Sequence, residues 1–147
     1  MHVLKRRKIN NSVEEIWLRR DFLDHNLFHR KKGPAYSILN IKRWYFWGQE
    51  YIKEKTEFCS YITFCYQNNF VLSSFADEPA VIYKNGTKEW HYCGRPHRKE
   101  LPAIIYPNGD KEYWKYGMRH REDGPAVIYG NKQYWYENGK FQKCILS

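Results

Sequence analysis

Three stretches of this chain lie over one another residue by residue, and a chain that repeats on this scale folds as copies of one small unit. Residues 74–94 read SFADEPAVIYKNGTKEWHYCG, residues 97–117 read HRKELPAIIYPNGDKEYWKYG, and residues 120–139 read HREDGPAVIYGNKQYWYENG. Pro79, Pro102 and Pro125 stand 23 residues apart. A fourth copy, HRKKGPAYSILNIKRWYFWG at 29–48, puts Pro34 45 residues ahead of Pro79, close to two periods. One decayed unit is therefore expected around 49–73, with its register left open.

Each copy reads as a β-hairpin. Proline lacks an N–H and fixes φ, which suits the start of a strand. A short β-branched and aromatic run follows, as in Val81-Ile82-Tyr83. Asn85-Gly86 and Asn108-Gly109 then supply the positive φ of a tight primed turn. The chain returns to a closing glycine (Gly48, Gly94, Gly117, Gly139), with Trp44, Trp90, Tyr113 and Trp135 four residues before it. That glycine opens a basic loop such as 117–123. The last unit has Gly130-Asn131 at its turn. Tyr83, Tyr106 and Tyr129 recur after Ile82, Ile105 and Ile128, and His29, His97 and His120 recur five residues before the proline. The 13 Tyr, 8 Phe and 6 Trp suit a pleated, half-buried surface and favour an all-β chain.

With the motif H-R-x-x-G-P-A…Y-x-N-G…W-x-x-x-G in view, residues 29–147 resemble the MORN repeat family, in the variant found in giant-virus, phage and bacterial proteins. The resemblance implies an elongated, twisted antiparallel sheet of consecutive hairpins, here about five units. It implies a role in interaction or scaffolding, with no catalytic residues to carry over. The chain has less glycine than the eukaryotic pattern.

Residues 1–28 differ in character. Asn10-Asn11-Ser12 followed by Val13-Glu14-Glu15-Ile16-Trp17-Leu18 reads as an N-cap, early acids and an apolar stripe at helical spacing. A short helix over 12–23 is predicted, part of a basic arm and helical cap at 1–28 ahead of a repeat domain at 29–147. The net charge is +9, and residues 1–32 contribute nine basic side chains against four acids. Such a balance admits nucleic acid, acidic protein or anionic lipid as partner. No run approaches the roughly 20 apolar residues needed to span a bilayer. Cys59, Cys65, Cys93 and Cys144 form no CxxC pair, and no secretory signal precedes them. They read as reduced, buried or half-buried thiols of an intracellular protein, cytoplasmic or nuclear.

The candidate binding residues are basic: Lys5, Arg6, Arg7 and Lys8 in the arm, and Arg30, Lys31, Lys32, Arg119 and Arg121 in the loops. The histidines tempt a metal reading, but equivalent residues of successive hairpins lie about 10 Å apart, whereas zinc holds imidazole nitrogens at about 2.0–2.1 Å. A structural role, with the ring bonding loop backbone, is expected, and no metal or cofactor. The aromatic ladder could stack bases, yet aromatics recurring once per unit first make the core of a thin sheet. No nucleophile elbow or phosphate-binding glycine loop occurs, so no enzyme is expected. The expected function is a repeat scaffold for protein–protein interaction, a viral protein acting on a host or virion component. A basic nucleic-acid-binding protein is the alternative, and membrane association ranks last. A homodimer is expected through the C-terminal unit, where strand alternation over 141–146 would put Phe141, Lys143 and Ile145 on one face.

Overall fold

The computed structural model describes residues 2–9, 12–20, 26–30, 33–38 and 41–146. Every regular element among them is a β-strand, arranged in antiparallel hairpins. The chain divides into two compact units, Met1–Ile52 with Gln67–Asn69, and Lys53–Tyr66 with Phe70–Ser147.

In the first unit, β1 (His2–Ile9) and β2 (Ser12–Arg20) form a hairpin in unbroken register from His2 opposite Arg19 to Ile9 opposite Ser12. Both β3 (Asn26–Phe28) and β4 (Tyr36–Ile38) pair with β2. Next to β4 comes β5 (Ile41–Phe46), then the first residues of β6 (Gln49–Lys55). The helix predicted over 12–23 is therefore corrected: Ser12–Arg20 is a strand, and residues 21–23 lie outside those described. An isolated helix shorter than about 12–15 residues is marginal, whereas this segment gains a full ladder with β1. Glu14 and Glu15, read as first-turn helix acids, face Arg7 and Arg6 across that ladder and pair with them. Cross-strand charge pairs of this kind stabilise a hairpin.

The second unit contains β7 (Cys59–Tyr66), all but the first residue of β8 (Asn69–Leu72), β9 (Val81–Tyr83), β10 (Lys88–Glu89), β11 (His91–Tyr92), β12 (Arg95–Pro96), β13 (Ile104–Ile105), β14 (Lys111–Glu112), β15 (Trp114–Lys115), β16 (Met118–Arg119), β17 (Val127–Tyr129), β18 (Lys132–Glu137) and β19 (Lys140–Leu146). Its main ladder runs β7-β9-β10-β13-β14-β17-β18-β19, with β8 beside β7. The pairs β11–β12 and β15–β16 form small side hairpins.

Turn chemistry separates the two hairpin types and corrects one expectation. At Asn85-Gly86 only the glycine has positive φ, at 92°; Gly86 N donates to Tyr83 O, and Asn85 Oδ1 accepts from Thr87 N. This is a type I turn closed by a left-handed glycine, and Asn108-Gly109 repeats it. The primed turns lie at the closing glycines instead. Both residues of Trp47-Gly48, Cys93-Gly94, Tyr116-Gly117 and Asn138-Gly139 have positive φ, so the chain turns back at once where a basic loop was expected. Gln67-Asn68 shares this geometry, with φ of 47° and 64°, and it fixes the register of the decayed unit.

Directly opposed residues share a face, so the register sorts the second unit into two sides. Val81, Glu89, Ile104, Glu112 and Val127 form one cross-strand row, with Ile82, Lys88, Ile105, Lys111 and Ile128 on the other side. The first row is the core: Val81, Ile104, Val127 and Glu112 are buried. At the far end a bulge between Trp135 and Tyr136 places Phe141 opposite Tyr136 and Lys143 opposite Trp135. Phe141 thus shares a face with Cys144 and Leu146, not with Lys143 and Ile145 as simple alternation predicts. All four cysteines are free, and Cys144 is exposed where a buried or half-buried thiol was expected.

Candidate interaction surface

The recurring motif residues bind one another. Trp90 N donates to Ala103 O and His97 N to Trp90 O; Tyr113, Ala126 and His120 repeat the arrangement, and so do Trp17, Ala35 and His29 in the first unit. Ile62, Ala80 and Ser73 fill these places in the decayed unit. Each histidine ring then accepts a backbone N–H from a primed turn at Nδ1: Trp47 N to His29 at 3.1 Å, Tyr116 N to His97 at 3.3 Å and Asn138 N to His120 at 3.2 Å. Burial, and then the nearby Lys115 charge, lower the His97 pKa below the usual histidine value and favour the neutral ring this bond requires. Ala35, Ala80, Ala103 and Ala126 are all 0 % exposed, beneath this lattice.

The arginine after each histidine lies over the aromatic whose carbonyl that histidine's N–H binds. Arg30 sits 4.4 Å from the Trp17 ring, Arg98 3.7 Å from Trp90 and Arg121 4.0 Å from Tyr113. Each donates from Nη1 to a proline carbonyl, Pro34, Pro102 or Pro125. At Gly33 and Gly124, with φ of 92° and 154°, a Cβ would come within 3.1 and 3.3 Å of these guanidinium groups; in the 97–117 copy Leu101 fills this place and Glu100 carries the positive φ, at 60°. Lys143 lies 4.9 Å from the Trp135 ring, and Trp44 is half-buried opposite Tyr51.

The candidate basic residues divide accordingly. Arg30 and Arg121 are engaged in stacking and carbonyl contacts, and Arg6 and Arg7 in ion pairs with Glu15 and Glu14. Lys5 and Lys8 are exposed on β1; Lys31 and Lys32 lie outside the described residues. Arg119 Nε donates to Glu112 at 3.1 Å. Glu112, 2 % exposed, also receives the hydroxyls of Tyr106 at 2.8 Å and Tyr129, and Trp114 Nε1 at 3.0 Å. Burial pushes its carboxyl up, but the two hydroxyls and the Arg119 charge outweigh this and hold its pKa below the usual range. Burial, and then the same hydrogen bond, push the Tyr129 hydroxyl well up. Tyr83 stands more exposed in the equivalent place, near Glu89. Glu89 Oε2 and His91 Nε2 are 2.9 Å apart.

Among the described residues no cluster of three or more His, Cys, Asp or Glu could hold a metal ion, and no helix is long and apolar enough to cross a membrane. In a depression of about 660 Å³ between residues 97–101 and 120–123, Arg98 pairs with Asp77, Lys99 with Glu100 and Lys115 with Glu122. The side opposite the core is open. One cross-strand row there reads Ser60, Ile82, Lys88, Ile105, Lys111, Ile128, Gln133 and Ile145. Ile82 and Ile145 are exposed, Ile105 and Ile128 half-buried, and both lysines exposed. Sequence reading missed this row because only strand register puts its members side by side. The signal is nevertheless present, in the Ile at matched positions and in the lysines immediately before Glu89 and Glu112. Compared with protein-family models, with curated proteins and with solved structures, the chain matches none.

Proposed function

We propose that the chain is a non-catalytic repeat scaffold that binds another protein. The observation carrying this reading is how the motif is used. His, Arg and aromatic residues are consumed in holding one hairpin to the next, while an apolar and basic row is left uncovered on the open side. Apolar side chains flush with a rigid sheet are surface that protein partners bury. The resemblance to MORN-type repeats supports the same role, and in its viral and phage variant it points to a host or virion protein as partner.

Nucleic-acid binding through the basic residues draws on the +9 charge. It is weakened where Arg6, Arg7, Arg30, Arg119 and Arg121 already have internal partners. Affinity capture from nuclease-treated lysate, run beside oligonucleotide shifts at about 50 mM salt where electrostatic binding is tightest, separates the two. A saturable protein partner with weak oligonucleotide binding is expected. Tight, strongly salt-dependent oligonucleotide binding with no protein partner would overturn the proposal.

A further inference from the structure

The open row has its own chemistry. From β9 to β19 it alternates Ile82, Lys88, Ile105, Lys111, Ile128, Gln133 and Ile145, one residue per strand and no acid. Strands in a ladder lie about 4.8 Å apart, so lysine charges recur about every 10 Å between aliphatic side chains. The acids adjacent to those lysines in sequence, Glu89 and Glu112, face the other side and are held there by His91 and Arg119. Among the described residues, neither lysine has an ion-pair partner.

Resting on the reading of the chain as a protein-binding scaffold, we propose that this row docks an acidic amphipathic segment of another protein, with glutamate or aspartate over Lys88 and Lys111 and aliphatic side chains over Ile105 and Ile128. Charge complementarity selects this occupant. The same row of a second copy would offer the lysines no acid. A phosphate backbone would meet the lysines but leave the isoleucines uncovered. An anionic bilayer needs apolar side chains that protrude, and Ile105 and Ile128 are half-buried. Side chains three or four residues apart on a helix rise about 4.5–6 Å, the nearest regular match to the strand spacing. Neighbouring strands twist by about 20–25°, which limits a straight helix to the middle of the row, Lys88 to Ile128.

The test uses the full chain and a fluorescein-labelled helical peptide bearing leucine and glutamate alternately every three to four residues, with lysine replacing glutamate in a control. Anisotropy should rise with the acidic peptide, fall as salt is added and stay flat with the control. Lys111→Glu should weaken binding about tenfold, as should Ile105→Glu; Lys111→Glu changes an exposed side chain and keeps the fold, which circular dichroism verifies. Equal binding by the variants, equal binding of the control peptide, or no binding would overturn the proposed surface. A partner recovered by capture, still bound by Lys111→Glu, would leave the scaffold reading standing while refuting this site. An oligonucleotide or anionic vesicles that bind more tightly than the peptide, and lose binding in Lys111→Glu, would refute the acidic segment as occupant.

Discussion

Replacing Glu112 by glutamine keeps the shape of the side chain and removes the charge on which four donors converge. Oε1 accepts the Tyr106 and Tyr129 hydroxyls; Oε2 accepts Trp114 Nε1 and Arg119 Nε. Hydroxyls can turn to become acceptors, but the indole and guanidinium cannot. The amide nitrogen is therefore forced toward the tyrosines, leaving a neutral oxygen for Trp114 and Arg119. Hydrogen bonds to a charged group contribute about 1.5–3 kcal/mol against about 0.5–1.5 for neutral ones. The ion pair itself is discounted, since the Arg119 side chain is 36 % exposed and water screens it. The expected cost of Glu112→Gln is about 2–4 kcal/mol, or roughly 4–16 °C in the unfolding midpoint of a chain this size. Because the folded pKa of Glu112 is depressed, its contribution is fully present above the unfolded value near 4.3. It is lost as pH falls through the folded value, so the gap between wild type and variant narrows below about pH 4. Urea unfolding followed by tryptophan fluorescence measures both, with Glu100→Gln, 81 % exposed, as control. A neutral-pH difference under about 0.5 kcal/mol, the range of ordinary surface changes, would refute the reasoning. So would a gap that persists in acid.

Other sites give further expectations. Ala126→Leu puts three more carbons into a position with 0 % exposure and should cost about 1–3 kcal/mol, read from the urea midpoint; an unchanged midpoint would mean that the layer around it is loose. His97 holds Tyr116 N–H only as a neutral ring, and its folded pKa lies below the unfolded value near 6.5. Its contribution is present above that value and lost as pH falls through the folded pKa, so His97→Gln should flatten the loss of stability between about pH 7 and pH 5; parallel profiles for the two proteins would contradict this. β19 is last in its ladder, with Phe141, Ile145 and Leu146 exposed, and pairing two such strands predicts a homodimer. Light scattering coupled to size exclusion should give a dimer mass that deletion of residues 141–147 abolishes; a monomer at micromolar concentration refutes it.

The hairpins were legible because each copy repeats its backbone requirements: proline before a strand, Ile-Tyr within it, Asn-Gly and a closing glycine at the turns. What failed to show depended on partners distant in sequence. Trp17 belongs to the pattern, yet it precedes His29 by 12 residues, where Trp90 precedes His97 by 7. The insertion hid it, and the acids Glu14 and Glu15 then read as a helix start. Asn-Gly suits either hairpin turn, so sequence alone puts the primed turn one hairpin too early. Arg30 and Arg121 read as free basic loops from sequence because the aromatic beneath each stands 13 and 8 residues earlier in the chain. The isoleucine–lysine row needs register above all, since a slip of one residue exchanges it with the buried Val81, Ile104 and Val127.

The central claim, that the open face of the repeat sheet receives a protein, is tested most directly by p-benzoylphenylalanine placed at Ile105, with Lys99 as the exposed control position. Irradiation of the tagged chain in lysate should give a discrete adduct from position 105 that nuclease leaves intact and that excess acidic peptide prevents. The control position should give none. A nuclease-sensitive smear, or adducts of equal yield from both positions, would contradict the account.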